Sequence, residues 1–364
     1  MNAWEQRKLG DLMEVTSVKR IHQSDWTDSG VRFLRARDIV AESKNEEVSE
    51  PLFISQEKYD EYSAISGKVK IGDLLVTGVG TIGIPMLINS DEPLYFKDGN
   101  IIWFKNGTII DGRFFYHSFN GCNIQKFIKE SAGTGTVGTY TIESGRKTPI
   151  NLPQQKEEQQ KIGAYLEYLD HLITLHQRKC EDTKKLKKYM LQKMFPQNGS
   201  KVPEIRFKGF TDDWEQRKLG EVFEFQYGEF NNNPDNGGEY PIYGANGIIG
   251  GYTDWNAENS SIIGHMGAYA GYVVWGEGKH FVTYNGTIAR PKDNFIDSKY
   301  GYYLLDSKKI YKICAGSGQP FVSYSDLNGI YILLPKDKDE QRLLAYYFTN
   351  LDHLITLHQR ECSI

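Results

Sequence analysis

A ten-residue segment, LDHLITLHQR, occurs twice in this chain without a single change, at Leu169–Arg178 and Leu351–Arg360. The second copy begins 182 residues after the first (351 minus 169). A second exact repeat, WEQRKLG, occurs at Trp4–Gly10 and Trp214–Gly220, 210 residues apart (214 minus 4). The repeats enclose interiors of dissimilar sequence and unequal length. Internal repetition of this kind predicts a constant frame that holds two exchangeable modules.

The residues after Glu157 favour one long helix, because Gly163 is the only glycine before Pro196 and good helix formers predominate. Spacings of four and three residues, typical of a coiled-coil seam, connect Ile162, Leu166, Leu169, Ile173, His176 and Cys180. The second copy repeats this register at Leu344, Phe348, Leu351, Ile355, His358 and Cys362. The two helices could pack on each other, or each apolar stripe could dock on its own module. Roughly 40 helical residues would form a rod of about 60 Å.

Composition places the chain among globular proteins. It has 364 residues, 39% hydrophobic and 13% aromatic, which is enough for two or three domains with real cores. It has no apolar segment of the kind that directs secretion and no apolar run near 18 residues, so no membrane segment is expected. Its four cysteines form no CxxC pair. We therefore expect a cytoplasmic protein without a metal site.

Charge is unevenly distributed along the chain. Ten Lys and Arg residues against three acidic residues give segment 178–208 a net charge of +7, within a chain whose total is −4. The basic residues most relevant to a ligand are Lys184, Lys185, Lys187 and Lys188. A basic strip on a helix can follow phosphates, although a solvated helix face has the same composition.

The repeats and the Pro/Gly-rich stretches define the expected domain boundaries. We expect a first module with its frame segment at 1–153, a long helix at 154–196, a linker at 197–213, a second module at 214–335 and a shorter second helix at 336–364. β-like runs lie at Val31–Leu34, Leu74–Thr77, Ile84–Ile88 and Asn100–Phe104, with helix candidates at Gly112–Glu130 and Ser298–Ile313. The expected fold class is α/β, with two similar modules and two long, coiled-coil-like helices in a pseudo-twofold repeat.

Catalytic motifs are not evident. Two GxGxxG matches, Gly78–Gly83 and Gly133–Gly138, are each followed by strand-like residues rather than by a helix, so neither predicts a dinucleotide site. No GxxxxGK[ST], HExxH or [DN]PP[YF] occurs. Within each repeat the two histidines are five residues apart, at His171/His176 and His353/His358, and this spacing is unfavourable for metal binding from one helix face.

The glycine-hinged loops of both modules carry short polar and aromatic side chains, which suit hydrogen bonds to base edges and phosphates. The same composition also suits sugar binding or an ordinary surface loop. The candidate DNA contacts are Arg35, Arg37, Thr81, Thr134, Thr136 and Tyr140 in the first module, and Tyr243, Asn246, His265, Tyr269, Ser317, Gln319 and Tyr324 in the second.

Two variable modules, each preceded by WEQRKLG and followed by Leu-Pro-x4-Glu-Gln and LDHLITLHQR, resemble the specificity subunits of type I restriction-modification systems. The resemblance covers essentially the whole chain. It implies a non-enzymatic subunit in which each module is a target-recognition domain for one half of a bipartite site in double-stranded DNA. It also implies that the helices set the length of the unread spacer.

The resemblance further implies partners. Two modification subunits would dock on the frame and restriction subunits would join them. The expected docking residues are Leu169, Leu172, Ile173, Leu351, Leu354 and Ile355. No cofactor is expected in this chain, because S-adenosylmethionine belongs to the modification subunit, and ATP and Mg to the restriction subunit.

The chain departs from the repeat at its end, where the second helix has no counterpart of Glu181–Phe195. An open frame is therefore expected there. The alternative function is a two-module sugar- or protein-binding protein with a coiled-coil spacer, which would be indifferent to DNA. A nuclease acting alone would instead require metal-dependent cleavage by the isolated chain.

Overall fold

The computed structural model describes residues 4–132, 138–197, 199–230, 235, 237–292, 295–314 and 318–362. The chain divides into two compact units, Met1–Leu172 and Ile173–Ile364. The boundary between the units falls inside the long helix.

The first unit contains short strands and helices around two hydrophobic clusters. The strands are β1 (Glu5–Lys8), β2 (Glu14–Thr16), β3 (Trp26–Thr27), β4 (Val31–Leu34), β5 (Leu52–Ile54), β6 (Leu74–Thr77), β7 (Pro85–Leu87), β8 (Leu94–Phe96), β9 (Ile101–Lys105) and β10 (Pro149–Leu152). The helices are α1 (Leu9–Leu12), α2 (Ala36–Ser43), α3 (Gln56–Ser66), α4 (Gly112–Asn120), α5 (Cys122–Ser131), α6 (Ile142–Lys147) and α7 (Lys156–Lys193), which continues into the second unit.

Strand β9 connects the two clusters of the first unit. Because successive side chains of a strand point to opposite faces, Ile102 and Phe104 enter one cluster while Ile101 and Trp103 enter the other. One four-stranded sheet has the order β2-β9-β6-β7 and the other the order β3-β5-β4-β8. The strands expected from the sequence at Val31–Leu34 and Leu74–Thr77 have the bounds of β4 and β6.

The GxGxxG at Gly78–Gly83 connects β6 to β7, which pair antiparallel, so the motif lies in a hairpin and is followed by a strand, as expected. The second match runs into residues outside the described ranges. After it, the expected strand is wrong: Ile142 begins helix α6, because the Thr141 side chain accepts a hydrogen bond from the Ser144 backbone and caps the helix.

The second unit is built around one larger sheet. Its strands are β11 (Glu215–Lys218), β12 (Phe223–Tyr227), β13 (Tyr240–Gly244), β14 (Gly247–Tyr252), β15 (Ala257–Gly264), β16 (Val273–Val282), β17 (Gly286–Pro291) and β18 (Tyr331–Leu334). Its helices are α8 (Leu219–Val222), α9 (Ser298–Ser307), α10 (Tyr324–Gly329) and α11 (Lys338–Glu361). The sheet order is β12-β17-β15-β16-β13-β14, so the interiors of the two modules differ in strand arrangement.

The frame, in contrast, is built twice in the same way. Strand β1 pairs antiparallel with β10, and β11 with β18, and the registers match residue for residue: Glu5 faces Leu152 and Glu215 faces Leu334. The WEQRKLG repeat therefore forms the strand that closes each module against the strand that leads into its long helix.

A buried glutamine completes each frame. Gln159 Oε1 accepts from the Asp111 amide at 3.0 Å, and its Nε2 donates to the Pro153 carbonyl at 3.1 Å. Gln341 makes the same two contacts in the second unit, to Asp297 and Pro335, each at 3.1 Å. Each Asp caps the helix that follows it, α4 or α9. The Glu-Gln of the repeat thus ties the start of the long helix to the module before it.

Within the second unit, α7 and α11 pack antiparallel. Cys180 Sγ approaches the Ile355 carbonyl at 3.9 Å, and Cys362 Sγ approaches the Ile173 carbonyl at 3.8 Å. Nearer the amino end of α11, Leu344, Phe348 and Leu351 instead join the core of their own module. The apolar stripe of α11 therefore packs on its own module near the amino end of the helix and on α7 near the carboxyl end. Both alternatives expected from the sequence occur in this one helix.

Glu340 is a buried charge held by the linker that precedes β11. It is 1% exposed, and its carboxylate accepts from Arg206 Nε at 2.7 Å, from a terminal guanidinium nitrogen of Arg206 at 2.9 Å, and from Trp214 Nε1 at 3.3 Å. Arg206 and Trp214 thereby fix the linker against the start of α11.

We expect Arg206→Ala to lower the free energy of unfolding of the second unit by about 3–5 kcal/mol, because it leaves Glu340 buried without its partner. The control is Arg342→Ala, whose ion pair with Asp339 is exposed on the same helix and contributes about 0–1 kcal/mol. Urea denaturation of both variants measures the difference. Equal losses would contradict the buried-charge explanation.

Candidate functional site

Three loops of the second unit meet at one end of its sheet. The His265 amide donates to the Asn285 carbonyl at 2.8 Å, the Val322 amide to the His265 carbonyl at 3.0 Å, and the Gly267 amide to the Pro320 carbonyl at 2.8 Å. These backbone bonds bring together the loop after β15, the loop before β17 and the loop before α10. Three candidates from the sequence, His265, Gln319 and Tyr324, consequently lie on neighbouring segments.

An aromatic cluster occupies this junction. Tyr324 stacks on Tyr227 with ring centroids 4.0 Å apart, and Tyr227 also contacts His265 at 4.2 Å and Tyr284 at 5.8 Å. Burial raises the pKa of the Tyr227 and Tyr324 hydroxyls above the usual value, so both stay neutral and can donate as well as accept. Sequence reasoning missed Tyr227 and Tyr284, because nothing local indicates which tyrosines meet.

The candidates in this unit differ in accessibility. His265 is 6% exposed, with Nδ1 3.1 Å from the Val322 carbonyl oxygen. Gln319 is exposed, as is Asn246 in the turn between β13 and β14. Tyr269 is 43% exposed. The side chains able to meet a ligand without rearrangement are therefore those of Asn246, Tyr269 and Gln319.

Close backbone approach shapes this surface. A Cβ on Gly264 would lie 2.1 Å from the Tyr269 carbonyl oxygen and 3.2 Å from that of Ala245, so only glycine fits there.

Tyr243 belongs to a different environment: it is 7% exposed, and its ring packs edge-on against His280 at 5.2 Å. It was expected in a loop, but it lies in β13 and supports the sheet.

In the first unit the arginine candidates are already engaged with acidic groups. Arg35 forms two hydrogen bonds to the buried Asp38, at 3.0 and 3.1 Å, and a third to the Glu50 carbonyl at 2.8 Å. These contacts anchor the start of α2. Arg37 is more accessible, with 54% of its side chain exposed and a 3.5 Å contact to the Glu50 carboxylate.

Two further first-unit candidates, Thr81 and Tyr140, lie in or beside the β6–β7 turn. Thr81 is exposed in that turn, and its carbonyl accepts from Thr77 Oγ1 at 2.6 Å. Tyr140 was expected in a loop at the surface, but it is 2% exposed and its hydroxyl lies 2.5 Å from Thr148 Oγ1, so in this structure it packs in the core. Thr134, Thr136 and Ser317 lie outside the described residues.

Lysines from α7 and from the segment that follows α9 line one cleft of about 560 Å³ in the second unit. Its lysines are Lys184, Lys187, Lys188, Lys308, Lys309 and Lys312, and its acidic residues are Asp306 and Asp352. Lys187 pairs with Asp352 at 2.7 Å, whereas Lys188 is exposed and has no ion pair within the described part of the chain. Burial lowers the pKa of Lys308, and an anion in the cleft would oppose that effect.

Lys185 does not line this cleft. Its side chain is 78% exposed and lies 3.7 Å from Asp182. The four helix lysines grouped by the sequence therefore divide into three that face the cleft and one that faces solvent.

The expected docking residues also divide. Leu169, Leu172, Ile173 and Ile355 are partly buried, Leu351 is 7% exposed within its own core, and Leu354 is 42% exposed. Leu354 is accompanied on α11 by Leu343, Tyr346 and Leu357, each at least 42% exposed. Leu351 is thus a packing residue of its module, while Leu354 belongs to an exposed apolar set.

One group of side chains has the composition of a metal site. His176 on α7 and His358 and Glu361 on α11 bring a ligand atom each within 4.8 Å of one another. The five-residue spacing within each repeat disfavours metal binding from one helix face, but it carries no information about a pair formed between two helices. The signal that would have identified them is that equivalent residues of two antiparallel repeats can meet at the local symmetry axis.

The comparisons with known proteins agree with the architecture. The family described as "Type I restriction modification DNA specificity domain" matches residues 1–184 and 211–362. A putative type I restriction enzyme specificity subunit of Haemophilus influenzae is 29% identical over 158 residues, which are 43% of this chain and 38% of that protein. A type I restriction enzyme specificity subunit of Methanocaldococcus jannaschii is 25% identical over 249 residues, 56% of each protein. The chain thus spans 38% and 56% of the lengths of these relatives.

Solved structures agree at the level of fold. The crystal structure of a type I restriction-modification S subunit from M. genitalium matches with a TM-score of 0.71 and 19% identity, covering 100% of this chain and 93% of that one. A chain from a structure of type I restriction-modification complex assembly and conformational transition matches with a TM-score of 0.54, 17% identity and the same coverages.

Within the described residues, no helix combines the length and apolarity needed to cross a bilayer.

The twice-built frame, the long helix after each module and the family match over most of both modules lead to one conclusion. The chain belongs to the family of type I restriction-modification DNA specificity proteins.

Proposed function

We propose that this chain is the DNA-reading subunit of a type I restriction-modification enzyme and that each module reads one half of a bipartite target in double-stranded DNA. The observation that carries the proposal is the frame, which is built twice with the same register around different interiors. Such a construction lets the reading surface change while the ends of each module stay fixed.

In the second unit we assign base reading to the loop junction and phosphate contact to the lysine cleft. Asn246, Tyr269 and Gln319 present exposed neutral donors and acceptors, as base edges require. The cleft lysines supply positive charge that suits phosphate. A sugar-binding module would gain little from that charge. In the first unit, Arg37 and Thr81 are the accessible described candidates, and Arg35 acts through the position of α2.

The chain itself needs no cofactor in this function. Methyl transfer with S-adenosylmethionine would belong to two modification subunits, and ATP- and Mg-dependent steps to restriction subunits. Two features support docking of the same partner at each repeat. One is the exposed apolar set on α11, and the other is the group of polar residues that are identical in the two copies of the decapeptide.

Replacing residues 13–140 with the interior of another specificity protein should change one half of the target and leave the other half unchanged. The replacement keeps β1, α1, α6 and β10, so the frame can still close. Mapping methylated sites in cells that also produce the modification subunits measures the outcome. A change in both halves, or in neither, would contradict independent reading.

Gln319→Ala should relax specificity at one base pair, because a base contact contributes about 1–3 kcal/mol of discrimination. Lys188→Ala should instead weaken binding to all sequences alike and reduce the salt slope by about one. Fluorescence anisotropy of the assembled complex at several salt concentrations separates these effects.

Lys185→Ala is the matched control for the lysine cleft, since Lys185 lies on the same helix outside it. We expect unchanged affinity for this variant. If it loses as much affinity as Lys188→Ala, the cleft has no special role. If Gln319→Ala weakens all sequences equally, it is a positioning residue and not a reader.

Lengthening α7 should change the spacer and preserve both half-sites. The contacts of His176, Cys180 and Lys187 with α11 make the segment after Ile173 unsuitable for insertion, so four residues are best placed between His171 and Leu172. They add about 6 Å of rise and about 40° of rotation beyond one turn. Since DNA advances about 3.4 Å per base pair, the preferred spacer should grow by roughly one to two base pairs.

The control adds four residues next to Gly199, after the helix has ended, and should leave the spacer unchanged. Methylome mapping of both variants measures the result. An unchanged spacer with full activity of the helix variant would remove the ruler role of α7, and altered half-sites would remove the independence of the modules.

A further inference from the structure

The two histidines that contact each other across the helix pair are equivalent residues of the repeat. His176 Nδ1 lies 3.2 Å from His358 Nδ1, and the two residues are 182 positions apart. The flanking contacts are reciprocal, because Cys180 meets Ile355 as Cys362 meets Ile173. A residue can touch its own counterpart only near a local twofold axis, so the histidines mark that axis.

Glu361 adds a carboxylate to the histidine pair. Its Oε2 lies 2.6 Å from His176 Nδ1 and 3.3 Å from His358 Nδ1. His358 and Glu361 are three residues apart, which puts them on one face of α11. The repeat counterpart of Glu361 is Lys179, so the carboxylate is supplied by one helix only.

The three ligand atoms have a separation suited to a small tetrahedral ion. With zinc–ligand bonds of about 2.0–2.2 Å, neighbouring ligand atoms lie about 3.3–3.5 Å apart. Two of the three separations, 3.2 and 3.3 Å, are close to that value. The third is a hydrogen-bond distance, which a small rotation of the Glu361 carboxylate would lengthen.

We propose that His176, His358 and Glu361 form a binding site for a divalent transition-metal ion, with Zn²⁺ as the preferred occupant. Two imidazoles and a carboxylate favour Zn²⁺ over Mg²⁺ and Ca²⁺, which prefer oxygen ligands. The three side chains are 21%, 15% and 37% exposed, so an ion can enter from solvent and water can complete the coordination.

The ion would join the last turns of α11 to the middle of α7. Beyond Leu351, α11 contributes no further residue to the buried core of its own module, so its position there depends on its contacts with α7. Zinc would therefore stabilise the helix pair, and none of its three ligands is among the residues assigned above to base reading or phosphate contact. This role is independent of the DNA-reading function proposed above.

Zinc titration of the full chain tests the site after dialysis against a chelator. Calorimetry should show one ion per chain. His176→Ala, His358→Ala and Glu361→Gln should each weaken binding by at least about 100-fold, since loss of only a second-shell partner costs about 10–100-fold. At 100 times Kd, zinc should raise the Tm of the second unit by roughly 5–10 °C, and these variants should lose that shift.

The controls are His171→Ala and His353→Ala, which remove the other histidine of each repeat, and Cys180→Ser, which removes a nearby thiol. All three should bind zinc as the parent does. Co²⁺ spectra of parent and Glu361→Gln report whether the carboxylate is a ligand. Failure of the parent to bind one ion, or an equal loss in the controls, would overturn the proposal and leave a hydrogen-bonded cluster only.

Discussion

The structure depends on a short antiparallel strand pair that closes each module. Four residues of β1 or β11 pair with the four residues of β10 or β18, which end at the leucine of the Leu-Pro before the long helix. The chain therefore enters and leaves a module at one place. Once the ends are fixed, the interior can change in length at a small free-energy cost, because the entropy cost of closing a loop grows only slowly with its length. This explains how one frame holds two four-stranded sheets in one unit and a six-stranded sheet in the other.

The frame also requires that each module be fixed to its helix. The buried Gln159 and Gln341 satisfy a backbone donor and a backbone acceptor at that junction, and an unpaired buried polar group there would be costly. Glu340 adds a buried ion pair with Arg206, whereas its repeat counterpart Glu158 accepts an exposed hydrogen bond from Trp4 Nε1 at 3.1 Å. The same Glu-Gln pair therefore lies in a partly exposed junction in the first unit and in a fully buried one in the second. The burial of the surroundings decides how much each contact contributes to stability.

Much of the secondary structure could be predicted from the sequence, because its signals are local. The strands at Val31–Leu34 and Leu74–Thr77 and the long helix follow from residue type and periodicity. The candidate site could be predicted only in part, because it depends on contacts between distant segments. Nothing near Tyr227 indicates that it stacks on Tyr324, and nothing near Lys184 indicates that the lysines after α9 share its cleft. The burial of Tyr140 was missed for the same reason, since its partner Thr148 lies beyond an intervening helix.

The identity of exposed residues in the two helix repeats needs a different physical explanation from the similarity of their core residues. Core positions of the two helices need only apolar side chains of suitable volume, and Phe348 stands where the first helix has Leu166. The exposed residues His171, Gln177 and Arg178 are not fixed by packing, yet their counterparts are identical. In the function proposed above, a partner that binds each repeat with the same surface accounts for that identity. The first difference after the decapeptide, Lys179 against Glu361, falls beside the local twofold axis marked by His176 and His358, where the two helices contact each other.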